Sequence, residues 1–417
     1  MRKIIVGAQV SMVGHGFLPP LLGPRRVLAE RSTGWSHTRH SAARGVLRRS
    51  LMSTSSIVRR TGLILGVAAA GLLAATGSAS GQATIKLSED VNFRLGILLQ
   101  AWVNFQQLPR SDRYTQEIFL RRSRFLFGGQ IARDVTFFIQ MDGGSLGRTT
   151  NGVKPLTTFF VQDAFMSVGY AKDQFLDAGL ILPATSRGTL ASTATILPLD
   201  YGVTGFLSSE ATNSNAARDL GLQARGWLAR GRVEYRVGVL EGHRDSLPTN
   251  PLRYNARIQV QLLDPEAKVV FPQDVYLTAA RALALAAFGE VQQDYNAYTF
   301  EAFFSHPLGA GAQVTAQVND ITYNGGTTFP GLLGQHTYSG EAGLYFKRSK
   351  LMPFAHYETQ RHEGTVHDAL DVDRYQLGLT YYWRGFNGNV KGAWVRVTPN
   401  TGPSSNQFTM QLQAFYY

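Results

Sequence analysis

From about residue 92 to the C-terminus, the chain repeats short segments in which apolar and polar residues alternate strictly, broken by Gly, Asn, Asp and Pro. Such a period of two is the mark of a β-strand with two unlike faces. No segment after residue 80 reaches the roughly eighteen continuous apolar residues that a membrane-crossing helix needs. Val233, Tyr235, Val237 and Val239 share one face, opposite Arg232, Glu234 and Arg236. Ala256, Ile258, Val260 and Leu262 oppose Asn255, Arg257, Gln259 and Gln261. Tyr375, Leu377, Leu379, Tyr381 and Trp383 oppose Arg374, Gln376, Thr380 and Arg384.

Two architectures fit this pattern. In a soluble sandwich the apolar faces make a core and the polar faces meet water. In a transmembrane antiparallel barrel the apolar faces meet lipid and the polar faces line a wet lumen. Three features favour the barrel. A secretory leader precedes the first strand, the segments number about sixteen, and aromatic residues such as Tyr381-Tyr382-Trp383 and Tyr416-Tyr417 mark strand ends, where amphipathic rings suit a membrane interface. The leader is read over residues 52–80, with Arg59-Arg60, the apolar run Leu63–Ala75 and a small-residue cleavage site at Ser80 or Ala83. That run is too short to span a bilayer as a helix. Residues 1–51 are Arg- and Ser-rich and are read as upstream sequence before a true start at Met52, with a transit peptide as the alternative. Residues 81–417 are the barrel.

Composition agrees. Charged residues make up 17% of the chain, against about 25% in soluble domains. Of the net charge of +12, eleven basic residues and one acid fall in residues 1–80, leaving the folded part nearly neutral, which speaks against nucleic acid as a partner. With no Cys there is neither disulfide nor thiolate chemistry.

The alternation predicts strands near 92–106, 115–130, 133–142, 158–170, 174–182, 217–229, 231–240, 254–264, 281–291, 297–305, 311–324, 336–347, 350–362, 371–384, 387–398 and 406–417. The Ala- and Leu-rich stretch 278–289 would equally suit a helix. Ala229-Arg230-Gly231 and Leu308–Gly311 read as short periplasmic turns, and 143–157 and 241–253 as outer loops. Residues 183–216 are too long for a plain connection. They are expected to fold into the lumen and narrow it, or else to form a surface loop.

Phe119-Leu120-Arg121-Arg122-Ser123-Arg124-Phe125 with Gly128-Gly129, then Gln162–Met166, Asp177-Ala178-Gly179, and Arg218–Gln223 running on to Tyr235–Val239, resemble the phosphate-selective porin O/P family. The likeness extends over about 90–417 and is strongest in 115–245. It implies a sixteen-stranded homotrimeric porin of the bacterial outer membrane, embedded in outer-membrane lipid and passing small anions such as phosphate along lumen arginines. The C-terminus departs from the pattern of such barrels: Phe408, Met410, Leu412, Ala414 and Tyr416 share the apolar register, so the terminal Tyr417 falls one residue out of phase.

Arginine suits an anion path because it stays charged and its planar donors match phosphate oxygens. The inferred lumen faces carry Arg122, Arg124, Arg225, Arg232, Arg236 and Arg257. Arg133 starts the third strand, and Arg187 lies in the long segment. Residues two apart stand about 7 Å apart along a strand, close enough for an anion to step between them. Alternatively, each arginine pairs with an acid such as Glu117, Asp219 or Glu234 and merely braces the wall. Arg121 is awkward, since alternation turns it to lipid with Phe119 and Phe125.

An enzyme is not expected: the chain lacks G-x-S-x-G, P-loop and H-E-x-x-H signatures. His356, His362 and His367, near Asp368, Asp371 and Asp373, read as residues flanking a turn rather than a metal site. Asp142-Gly143-Gly144-Ser145 reads as a strand-ending turn rather than a calcium loop. Neither cofactor nor metal is expected. The alternatives to an anion porin are a general or carbohydrate porin or, in another class, an outer-membrane enzyme or adhesin.

Overall fold

The computed structural model describes residues 83–149, 159–207, 216–244 and 251–417. The leader and the upstream segment lie outside these residues, as do parts of three expected loops. The elements are β1 (Ala83–Lys86), β2 (Asn92–Gln107), β3 (Tyr114–Ala132), β4 (Val135–Asp142), β5 (Phe160–Ala171), β6 (Gln174–Ile181), β7 (Asp219–Leu228), β8 (Val233–Leu240) and β9 (Arg253–Gln261). They continue with β10 (Ala282–Gln292), β11 (Tyr295–Leu308), β12 (Ala312–Asn324), β13 (Gln335–Phe346), β14 (Leu351–His362), β15 (Val372–Tyr381), β16 (Trp383–Phe386), β17 (Gly388–Pro399) and β18 (Ser405–Tyr416).

Each long strand pairs antiparallel with its neighbour in sequence, and β18 closes on β2 through pairs from Gln407↔Gln106 to Tyr416↔Ile97. Leaving aside the short β1 and β16, sixteen strands make a closed barrel, and each matches a segment expected from the alternation. The Ala-rich stretch is strand β10. Its alternation is met on both sides, by Leu285↔Val260 and Leu285↔Ala302.

The two faces settle which architecture the alternation serves. Outward Leu222, Val237, Ile258, Phe300 and Leu377 are each more than half exposed, while inward Gln223, Arg236, Arg257 and Gln259 are buried. A soluble sandwich would reverse this. The wall presents its apolar residues outward, as a lipid-facing barrel does.

Connections alternate between two ends. The two-residue turns 133–134 and 172–173, the turns 229–232 and 309–311, and both ends of the barrel seam fall at one end. Asp134 and Asp173 adopt positive φ there (61° and 60°), which Asp tolerates better than bulkier residues. Among the described residues, the opposite end carries 108–113, 143–149, 182–207 and 241–244, so the expected turns and loops separate as read.

Three details of register differ from simple alternation. In β3, Gln100 pairs with Arg122 and Ala101 with Leu120, so Arg121 is the extra residue of a β-bulge. The bulge shifts the phase by one. Phe119 and Arg121 therefore point inward along with Arg122 and Arg124, and only Phe125 of the expected lipid-facing set remains outside. A second bulge, between Gln140↔Asp163 and Met141↔Val161, brings both Gln162 and Asp163 inside. Strand β15 ends at Tyr381 rather than Arg384. Tyr382 turns inward, its amide donating to the Lys350 carbonyl at 2.9 Å, and leaves the expected aromatic belt for the interior.

The described part of the long connection, 182–207, folds into the lumen: Ala184, Leu190, Leu197 and Leu199 are buried. Leu197 and Leu199 join Trp102, Phe119, Met352, Phe354 and Tyr382 in an apolar cluster against the inner wall. A second segment, 262–281, enters from the turn end and adds Val275 to the same cluster. Nothing in the sequence pattern announced it.

Candidate functional site

The site is the narrowed lumen, built from inward strand residues and the two segments lying across it. On β3, Arg122 donates to Gln100 Oε1 at 2.9 Å and pairs with Asp200 of the long connection. Arg121 pairs with the same carboxylate at 2.7 Å, so the bulge lets two guanidiniums clasp one loop aspartate. Arg124 pairs with Asp142 at 2.8 Å and donates to Thr193 Oγ1 at 2.7 Å, tying wall to connection. Asp142 therefore serves an arginine at the end of β4.

Across the barrel, Arg225 on β7 pairs with Asp177 at 2.6 Å and lies 4.7 Å from the Phe175 ring centre. Arg236 on β8 pairs with Glu234 at 2.7 Å and donates to the Val270 carbonyl at 2.8 Å. Arg257 on β9 pairs with Glu301 on β11. All of these pairs lie on inward faces, where removing one partner would strand a charge.

Arg187 sits in a single helical turn, Arg187–Leu190, of the long connection. Its guanidinium grips both carboxylate oxygens of Glu266 at 2.7 and 2.6 Å, donates to the Gln273 carbonyl at 2.6 Å, and lies 3.6 Å from the Phe303 ring centre. Glu266 also accepts from Tyr276 and Gln261, each at 2.6 Å. Burial opposes the Arg187 charge, but the facing Glu266 outweighs it and raises the guanidinium above its ordinary value. Burial likewise disfavours ionised Glu266, and Arg187 overrides this to hold the carboxyl below its usual range. The pair is charged at any physiological pH.

Six of the eight arginines expected to line the pore thus sit inside the barrel: Arg122, Arg124, Arg187, Arg225, Arg236 and Arg257. Each is engaged by a carboxylate. The other two are displaced from the lumen. Arg133 lies in the β3–β4 turn, 86% exposed, with Asp134 at 3.8 Å. Arg232 lies in the β7–β8 turn and donates to the Leu263 carbonyl at 2.8 Å. Both miss the strand faces because β4 and β8 start at Val135 and Val233, each two residues later than the alternation implied.

Arg121, Arg218, Arg253 and Lys391 belong to the same interior. Arg218 pairs with Asp163 at 3.0 Å and Arg253 with Asp219 at 2.9 Å. Lys391 on β17 donates to the carbonyls of Ile196, Leu197 and Pro198 at 2.7, 3.1 and 2.7 Å, pinning the long connection. The phase of β9 (Arg253, Asn255, Arg257) and of β17 (Asn389, Lys391, Ala393) carried a signal for two of these. His356, expected beside a turn, is a strand residue of β14 inside the barrel, with Glu341 at 3.1 Å and Glu358 at 3.6 Å. His362 meets Asp371 at 3.1 Å, nearer the expected place.

The charges are unevenly distributed. Arginines dominate the inner wall from β3 to β9, while Glu290, Glu301, Glu341 and Glu358 lie on β10 to β14. The lumen thus lies between walls of opposite tendency, narrowed by two segments held by ion pairs and apolar contacts.

No protein-family model and no curated protein sequence matches this chain. Among solved structures the barrel is similar to OmpF of Salmonella typhi, in complex with daunomycin, at 13% identity and TM-score 0.55, covering 80% of this chain and 100% of that one. It is similar to the outer membrane channel DcaP of Acinetobacter baumannii at 11% identity and TM-score 0.52, with the same coverage. It also resembles OmpT, an outer membrane protein of Vibrio cholerae, at 12% identity and TM-score 0.50, again over 80% of this chain and 100% of that one. At such identities the likeness is one of fold: a barrel of the outer-membrane porin and channel type.

Proposed function

We propose that the chain is a passive outer-membrane porin, a narrow water-filled path for small hydrophilic solutes that performs no chemical step. One observation carries this reading: a closed sixteen-strand wall, apolar outside and polar inside, is crossed by two segments that narrow the lumen, with no folded plug among the described residues. A wet passage needs polar walls and binding weak enough to release solute at each step.

Within this reading, small anions such as phosphate are the preferred solutes, drawn by the arginine bank from β3 to β9. The carboxylate on each arginine bears on how such a path works. An anion would share donors with the resident acid rather than meet a bare guanidinium, which favours brief binding. The same reading includes removal of the leader, a place in outer-membrane lipid and assembly as a homotrimer, as the resemblance to the phosphate-selective porins implies.

The test is single-channel recording of protein purified from the outer membrane of an expressing host, with a salt gradient across a planar bilayer. An anion-selective reversal potential, with phosphate reducing the chloride current and Arg225→Ala weakening both effects, supports the anion path. Conductance without ion preference leaves a general porin. No conductance, from protein shown to be inserted, overturns the channel.

A further inference from the structure

Residues 262–281 cross the lumen from the turn end like a strap. At one side, Arg236 of β8 holds the Val270 carbonyl at 2.8 Å, and Phe271 packs 5.7 Å, centre to centre, from Phe138 of β4. At the other, Val275 is fully buried in the cluster that includes Met352 and Phe354 of β14. The strap also docks on the long connection. Ser192 N donates to the Pro272 carbonyl at 2.9 Å, Leu197 N to Asp274 Oδ2 at 2.8 Å, and Asp274 N to Thr195 Oγ1 at 3.2 Å.

Two charged groups fix the strap, and they differ in kind. Glu266 is bound by a guanidinium. Asp274 is 2% exposed, and its Oδ1 receives no hydrogen bond. Its Oδ2 accepts from Leu197 N and, among the described residues, no guanidinium or ammonium is bonded to it. A carboxylate buried in this way, with one oxygen that no donor satisfies, is stable only while it holds a proton.

The other charges nearby are engaged elsewhere, and none of them is bonded to Asp274. Lys391 on β17 spends its ammonium on the carbonyls of residues 196–198, Arg187 of the long connection is gripped by Glu266, and His356 on β14 lies against Glu341 and Glu358. The Tyr382 ring beside β16 is neutral.

We infer that residues 262–281 are a second, proton-seated half of the constriction, which narrows the channel while the Asp274 carboxyl keeps its proton and lifts from the wall when that proton is lost. Burial and the facing Glu341 push the Asp274 carboxyl well above the usual range, so the seated strap retains a proton that a free one would release. Seating is complete in acid, and it weakens as pH rises through the titration of the seated Asp274. This inference rests on the channel reading for its consequence, a wider path at alkaline pH, but the movement can be followed without any current.

The chain has no cysteine, so a single thiol can report the movement. The protein carrying Val275→Cys, in its membrane, would be labelled with a polar maleimide from about pH 5 to pH 9. Rates are taken relative to Arg133→Cys, an exposed site that corrects for thiol ionisation. The corrected rate should rise by up to about tenfold per pH unit across the transition, the limit for one linked proton. Adding Asp274→Asn, which keeps the acceptor for Leu197 N and needs no proton, should hold the thiol protected at every pH. Conductance should rise over the same range in the wild type and stay low in Asp274→Asn. A corrected rate independent of pH, or a rise that persists in Asp274→Asn, overturns the strap. Labelling that moves with pH without any current keeps the strap and overturns the channel.

Discussion

Tyr417 shows how one residue out of phase is accommodated. Tyr416 occupies the outward register opposite Ile97, so the terminal ring turns into the barrel, where it stacks edge-on against Phe138 at 5.8 Å between centres. It lies over Gly96 and Gly128, where a Cβ would collide with it. Gly128→Val should therefore cost about 1–3 kcal/mol by overpacking, and the double variant Gly128→Val with Tyr417→Ala should recover part of that loss. Urea titration of the barrel in lipid measures both, and simple additivity would separate Gly128 from the terminal ring. The buried pair of Arg124 and Asp142 is a second residue-scale case. Asp142→Asn leaves the guanidinium with a neutral partner at a site where both side chains are under a tenth exposed, and should cost about 3–5 kcal/mol. Arg124→Met with Asp142→Leu should cost much less in the same titration, since no charge is then left buried.

Among the elements, the strands were legible and the fillings of the lumen were not. A strand declares itself locally: Val233 to Val239 and Ala256 to Leu262 show their outward faces within eight residues, whatever they pair with. The bulge at Arg121 could not be read this way, because it exists only relative to Gln100 and Ala101 on β2. Nor could the distant partners of the arginines, although Glu234, one of the acids expected to pair, does meet Arg236 at 2.7 Å. Asp200, Glu266 and Glu301 come from the two lumen segments and from β11, far along the chain, so a count of local acids understated how fully the arginines are paired. Segment 262–281 has no periodicity, since its residues are held singly by different strands. The long connection, by contrast, was flagged by its length. Its docking gives the element-scale prediction. Lys391→Met removes the ammonium that binds three successive carbonyls, charge-assisted bonds worth about 1.5–3 kcal/mol each at most. The connection should loosen while the wall stays intact. Single-channel current should become larger and noisier, with urea stability of the barrel little changed; an unaltered current would mean that the ion pairs of Asp200 and Arg187 and the apolar contacts hold the connection without Lys391.

At the scale of the whole molecule, the two faces of the wall differ in what they can meet. Arg257 and Ile258 are adjacent in β9, one buried inside against Glu301 and the other 51% exposed outside. Ile258 pairs with Tyr235 and Ala287 near the middle of its strand, whereas Leu262 lies just beyond the strand's end. If hydrocarbon covers this face, a charge must cost most at mid-wall and least at the edge, because water and headgroups reach only the edge. Ile258→Arg should therefore destabilise the inserted barrel by about 2–4 kcal/mol, and Leu262→Arg by about 0–1 kcal/mol. Both are read by urea titration in phospholipid bilayers. In detergent, whose shell deforms to hydrate a charge, the difference between the two should shrink. Water on the outer face would make the two substitutions equally cheap in bilayer and detergent alike, and a protein partner covering it would make them equally costly in both. Only a lipid-facing wall gives a cost that depends on both depth and solvent.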